Sequence, residues 1–171
     1  MEHERRRTTP TRDELRVWRD YIETAEALRA RLASRLQSES SLSAGDYQVL
    51  LALSEAEGRT LRSSELASLV GWERSRLSHH LGRMEKRGLI GRASCADVAH
   101  GVDVTATDAG LEAFRAGSVP HLRAVRELFL DALSPEQLEH VAELTDALRR
   151  HLDLPDPPDP PDPPRDERAG R

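Results

Sequence analysis

Apolar residues recur at helical spacing over most of the chain. Leu15, Trp18, Ile22, Ala25, Leu28, Leu32 and Leu36 follow one another at intervals of three and four, and predict one long amphipathic helix over roughly 12–38. Thr11, with Glu14 three residues later, supplies a capping box at its start. A second helix opens at Ser43-Ala44-Gly45-Asp46, carries Tyr47, Leu50, Leu51 and Leu53, and ends near Gly58. Ser63-Ser64-Glu65 begins a short third helix bearing Leu66, Leu69 and Val70, stopped by Gly71. The fourth runs from about Glu73 to Arg87, where Gly88 offers a left-handed end.

The period then changes. Leu89-Ile90 and Val102-Asp103-Val104-Thr105 read as two short strands, with Gly101 near the turn between them. Thr107-Asp108 opens a helix to about Leu133, with Pro120 as a kink or break. Ser134-Pro135-Glu136-Gln137 combines a cap residue, a proline at the first helical position and a capping-box glutamine. In the helix that follows, Leu138, Val141, Leu144 and Leu148 are expected to face inward. The first ten residues are polar, and PDPPDPPDPP from Pro155 to Pro164 has too few donors and too little apolar surface to fold. The expected organisation is a flexible start over 1–10, a folded domain over 11–152 and a disordered Pro/Asp-rich tail over 153–171.

Helix, tight turn, helix and hairpin over 59–107 form a winged helix-turn-helix, so the fold class is mainly α with a small β-hairpin wing. Charge changes the picture at this point. The chain holds 25 basic and 30 acidic residues, a net charge of -5 that argues against a phosphate-rich partner. Its distribution reverses that argument: residues 59–92 hold eight basic and three acidic side chains, a local +5. All basic residues but Lys86 are arginines, whose planar fork suits bidentate contacts.

On the fourth helix Leu77, Leu81 and Met84 share one side and are expected in the core. The opposite side presents Ser75, Arg76, His79, Gly82, Arg83 and Lys86, with no acid among them. A solvated helix face normally mixes both signs, so this one is read as a DNA-contacting surface. Arg76 or Arg83 suits a guanine edge, His79 a base or phosphate, and Lys86 and Arg87 phosphates. Arg62, Ser63, Arg74, Ser78, Arg92 and His100 complete the candidate contacts.

These residues carry a resemblance. Leu66-Ala67, then Ser75-Arg76-Leu77-Ser78-His79-His80-Leu81, then Arg83-Met84-Glu85-Lys86-Arg87-Gly88-Leu89-Ile90, resemble the multiple-antibiotic-resistance regulator (MarR) family. Leu42 to Leu50 upstream and Thr107-Asp108-Ala109-Gly110 downstream match the flanking pattern, and the likeness spans about 12–152. It implies a homodimer built on the terminal helices, 11–40 and 108–152, that binds a palindromic operator, usually represses nearby genes, and is released by a small aromatic ligand. The family's ligand pocket lies between the dimerisation helices and the DNA-binding part, which makes Trp18, Tyr21, Ile22, Asp46 and Tyr47 the candidates here.

The wing departs from the family pattern. Asp97-Val98-Ala99-His100 places Val98 where an aspartate is expected and His100 where an arginine reaches the minor groove. Either Asp97 takes the aspartate's place by a one-residue shift or the wing contact is weakened or altered; the second is the expectation, and with it comes an alternative function as a protein-interaction module. No Gly-rich phosphate loop, nucleophile elbow or metal-ligand helix is visible, so neither an enzyme nor a cofactor is expected. The seven histidines have no compact ligand spacing, and the single cysteine, Cys95, is read as a structural wing residue. The longest apolar run, Val49 to Leu53, is far short of a membrane span, and a cytoplasmic location with no membrane partner is expected.

Overall fold

The computed structural model describes residues 9–94 and 101–154. The tail and the wing-tip expectations on Cys95, Val98 and His100 therefore lie outside the described residues. Six helices follow one another: α1 (Arg12–Glu39), α2 (Ala44–Glu55), α3 (Ser63–Val70), α4 (Arg74–Lys86), α5 (Asp108–Leu128) and α6 (Pro135–His151). Three short strands are interleaved with them: β1 (Thr60–Arg62), β2 (Ile90–Ser94) and β3 (Val102–Ala106).

Local chemistry sets most boundaries. Thr11 and Glu14, Ser43 and Asp46, and Ser134 and Gln137 form reciprocal capping boxes at the starts of α1, α2 and α6. Thr107 caps α5, and its hydroxyl also donates to the Gly88 carbonyl at 2.7 Å. Gly71 ends α3 at φ 66°, a left-handed conformation that glycine adopts without a steric penalty. α3 itself has no side-chain cap: Arg62 occupies the N-cap position, and Ser63 is the first helical residue.

The expected hairpin forms from β2 and β3, and a third strand that was not expected, β1, joins it. β3 lies in the middle of a three-stranded antiparallel sheet, ordered β1-β3-β2. β1 pairs Thr60 with Thr105 and Arg62 with Asp103, while β2 pairs Ile90 with Ala106 and Ser94 with Val102. A three-residue strand has no readable alternation, and only its long-range partner makes it a strand. Pro120 is also milder than expected, because α5 continues through it to Leu128.

The core belongs to α2, α3, α4 and the sheet. Val49, Leu50 and Leu53 meet Leu66, Leu77, Leu81, Met84 and Val104 there, all with at most 1% of their surface exposed. α5 joins at its start, where a Cβ on Gly110 would fall 2.0 Å from the Leu89 carbonyl oxygen. Only glycine permits that approach. Leu69, by contrast, is 61% exposed on α3.

The expected inward face of α6 is not inward within one chain. No α6 residue is buried, Leu138 and Val141 are half-buried, and Leu144 and Leu148 are exposed. The cause is geometric, since no further layer of the described residues lies over that stripe.

Candidate nucleic-acid interface

α3, the turn Gly71-Trp72-Glu73 and α4 place one helix across the domain with its outer side free. Leu77, Leu81 and Met84 pin the inner side to the core, as their spacing requires. Ser75, Arg76, Ser78, His79, Arg83 and Lys86 are exposed on the remainder, with Arg74 at the first turn. Arg62 is exposed at the end of β1 beside Ser63, which is half-buried. The candidate contacts from 62 to 86 thus lie on β1, α3 and α4, and all but Ser63 are exposed. None of the exposed cations just named is engaged by a carboxylate among the described residues.

Arg92, a candidate DNA contact, and Arg87, expected to suit phosphates, each have an internal partner. Arg92 Nε and Nη2 donate to Glu85 Oε2 at 3.0 and 2.6 Å, so Arg92 on β2 ties the wing to α4. That bond also holds the Glu85 carboxyl below its ordinary value. Arg87 donates to Asp46 Oδ2 and to the Ser41 carbonyl, each at 2.6 Å. It clamps the end of α4 to the start of α2, and its guanidinium is spoken for.

Asp46 is the deepest acid of the fold, 1% exposed. Burial alone would raise its carboxyl, but the Arg87 hydrogen bond, the Ser43 backbone N–H and the Ser43 hydroxyl together hold it below the usual range. His80 Nε2 lies 3.1 Å from Asp46 Oδ1, off the line of a well-aligned hydrogen bond. This polar centre under α4 was missed in the sequence. A signal existed, because His80 stands four residues before Met84 and so on the buried side of the helix.

The candidate ligand residues do not gather. Asp46 is consumed by the α2–α4 clamp. Trp18 and Tyr21 are 60% and 45% exposed on the first turns of α1, with Ile22 half-buried beside them. Helical rise separates Trp18 from Leu36, the buried residue of α1, by about 27 Å. Tyr47 alone sits in an aromatic group: its ring lies 5.0 Å from Phe114 and 4.6 Å from His121, between α2 and α5. Its hydroxyl reaches Ser118 Oγ at 3.4 Å. His121 Nδ1 is buried there without a hydrogen-bond partner, and burial lowers the imidazole pKa. No group of three or more metal-ligating side chains occurs among the described residues.

Residues 47–91, from α2 into β2, match the family model of bacterial regulatory proteins of the arsR family, a winged-helix type. Whole-chain likeness distinguishes further. AbsC, a MarR family transcriptional regulator from Streptomyces coelicolor, is 34% identical over 86% of this chain and 99% of its own, with a TM-score of 0.77. Sco3205, a MarR family transcriptional regulator from the same organism solved in complex with DNA, is also 34% identical, over 91% of this chain and 96% of its own, at a TM-score of 0.78. This chain belongs to the MarR family of transcriptional regulators.

A more distant structure, the organohalide-sensing regulator RdhR in its 2,4-dichlorophenol bound form, shares the fold at 20% identity, covering 84% of this chain and 86% of its own, with a TM-score of 0.71. No curated protein sequence matches the chain. The arsR-type match covers the compact winged helix alone, whereas the MarR-family likeness extends over the outer helices that give such regulators their overall form. As a MarR-family member the chain is a DNA-binding transcriptional regulator. No helix among the described residues is long and apolar enough to cross a membrane.

Proposed function

We propose that this MarR-family regulator binds a palindromic operator as a homodimer through α4, represses the genes beside it, and is released by a small aromatic ligand. The observation that carries the reading is the outer side of α4, where Arg76, Arg83 and Lys86 stand exposed with Ser75 and His79 and without an acid, while Arg74 and Ser78 flank Glu85, which Arg92 engages. Exposed apolar side chains on α1 and α6, Trp18, Leu144 and Leu148 among them, support a second copy as the partner. A twofold dimer then presents two α4 helices to two half-sites, about 34 Å apart for one turn of B-DNA.

For the ligand, the group formed by Tyr47, Phe114, Ser118 and the orphaned His121 Nδ1 is the chemistry that supports an aromatic molecule with a hydrogen-bonding substituent. It replaces the looser set that began at Trp18. Selection of bound duplexes from a random pool by the purified protein tests the reading. The expected product is an inverted repeat whose affinity falls with salt at a slope of about -0.9 per phosphate contacted. Binding that ignores sequence, or that barely responds to salt, would favour the protein-interaction module instead. Adding a panel of phenols and aromatic acids to the selected complex tests release.

A further inference from the structure

Beneath the outer side of α4 lies a pair of rings that DNA contact as described leaves without a task. Trp72 in the turn and His80 on α4 meet edge to face, with centroids 5.1 Å apart and planes at 90°. Each ring holds one arginine of the outer side. The Arg76 guanidinium carbon stands 4.5 Å from the Trp72 ring centroid. Arg83 Nη2 lies 2.8 Å from His80 Nδ1. A guanidinium can only donate, so Nδ1 is the acceptor and the neutral ring carries its proton on Nε2, towards Asp46.

The rings are braced from behind. A Cβ on Gly45 would fall 2.8 Å from Trp72 Cη2 and 3.0 Å from His80 Cε1, so the start of α2 presses on both. Asp46, next in sequence, is itself fixed by Arg87 and by the Ser43 backbone N–H.

We propose that Trp72 and His80 are positioning residues for DNA recognition: a braced ring pair that presets the guanidinium groups of Arg76 and Arg83 before the groove is met. The inference rests on the reading that the outer side of α4 contacts DNA. Stacking on Trp72 leaves the donor edges of Arg76 free, and Arg83 gives His80 one N–H while keeping the others. Side chains held in place beforehand lose less freedom on binding.

The charged groups facing His80 are Asp46 from α2 and Arg83 and Arg87 from its own helix and helix end. Burial, with the two arginines and against Asp46, keeps the imidazole below its ordinary value, so Nδ1 is available to accept at neutral pH. A proton on Nδ1 would turn the acceptor into a donor facing Arg83.

A double-mutant cycle on the full-length protein and its selected duplex tests the assignment, with melting temperatures recorded beside the affinities. Arg83→Ala is expected to weaken specific binding about tenfold, the loss of one good base contact. His80→Leu should weaken it about fivefold in the native background and by less than about 1.5-fold once Arg83 is alanine, because its effect passes through that side chain. His80→Gln, whose amide can accept from Arg83 and donate towards Asp46, should restore most of the loss. Trp72→Leu and Arg76→Ala should couple in the same way. Gly45→Ala displaces both rings without altering a charge, and supplies the cycle should His80→Leu not fold.

Equal losses in the presence and absence of the arginine would show a merely structural role and overturn the proposal, as would a His80→Gln protein no better than His80→Leu. If neither Arg83→Ala nor Arg76→Ala affects binding, the proposal fails together with the reading of α4 as the DNA-contacting helix.

Discussion

The winged helix and the outer helices bury their apolar residues to very different degrees. In α2, α3, α4 and the sheet, most residues spaced for burial are buried: Leu77, Leu81 and Met84 are at most 1% exposed, although Leu69 on α3 stays 61% exposed. In α1 and α6 the same spacing leaves side chains in solvent, with Trp18 60%, Leu144 46% and Leu148 39% exposed. Both regions have well-made helices, for α1 and α6 carry full capping boxes. The difference lies in the third dimension. The winged helix closes its core within one chain, while among the described residues nothing covers the apolar stripes of the outer helices.

The sharpest way to break this comparison is to cut into each region and ask whether stability depends on protein concentration. Leu81→Ala removes a side chain fully enclosed between α2, α4 and the sheet. A cost of about 2–5 kcal/mol is expected, the usual penalty for a cavity in a closed core. Thermal unfolding should show a large drop in melting temperature that is the same at every protein concentration. A drop that shrinks as the protein is concentrated would mean that the winged helix is not self-sufficient.

The outer helices should respond in the opposite sense. Native protein is expected to melt higher as its concentration rises, because association stabilises the folded state by mass action. Leu144→Glu combined with Leu148→Glu places two carboxylates on the exposed stripe of α6. The pair should abolish that concentration dependence and convert a dimer to a monomer in light scattering, at a smaller cost to the isolated fold than Leu81→Ala. Retention of a dimer by this variant would remove α6 from the interface.

How legible each region was follows from the same contrast. Helix starts were readable because a cap is a local device: Thr11 with Glu14 and Ser134 with Gln137 lie three residues apart. The exposed basic side of α4 was readable because the helical period sets Leu77, Leu81 and Met84 on a different side from Arg76 and Arg83. β1 was not, since Thr60-Leu61-Arg62 becomes a strand only through β3, some forty residues onward. Nor was the clamp, in which Asp46 meets Arg87 across 41 positions and an acid assigned to a ligand turns out to hold two helices together. Arg92 was counted as a DNA contact without its internal bond for the same reason, because charge alone does not reveal a partner such as Glu85. The distance of Trp18 from the α2 end of its helix was not readable either: helical spacing says which side of α1 a residue is on, and nothing about which end of the helix meets α2.

The smallest effect concerns protons, and it links the two regions through α2. His80 under α4 and His121 against Tyr47 are both held below the ordinary imidazole value, in each case chiefly by burial. Unfolding restores values near 6.5, so below about pH 6.5 the unfolded chain binds more protons than the folded one. Stability should therefore be steady above neutrality and decline as pH falls from about 7 towards 5. Asp46 acts outside that window, because its depressed carboxyl titrates below the unfolded value of about 3.9, and its contribution is lost only as pH falls through that lower range. His121→Phe keeps a ring beside Tyr47 but removes the proton site, and should flatten part of the decline, a change of about a few degrees in melting temperature at pH 5.5. A slope identical to that of the native protein would show that His121 is as easily protonated folded as unfolded, and would take away the buried, unpartnered nitrogen on which the proposed ligand site depends.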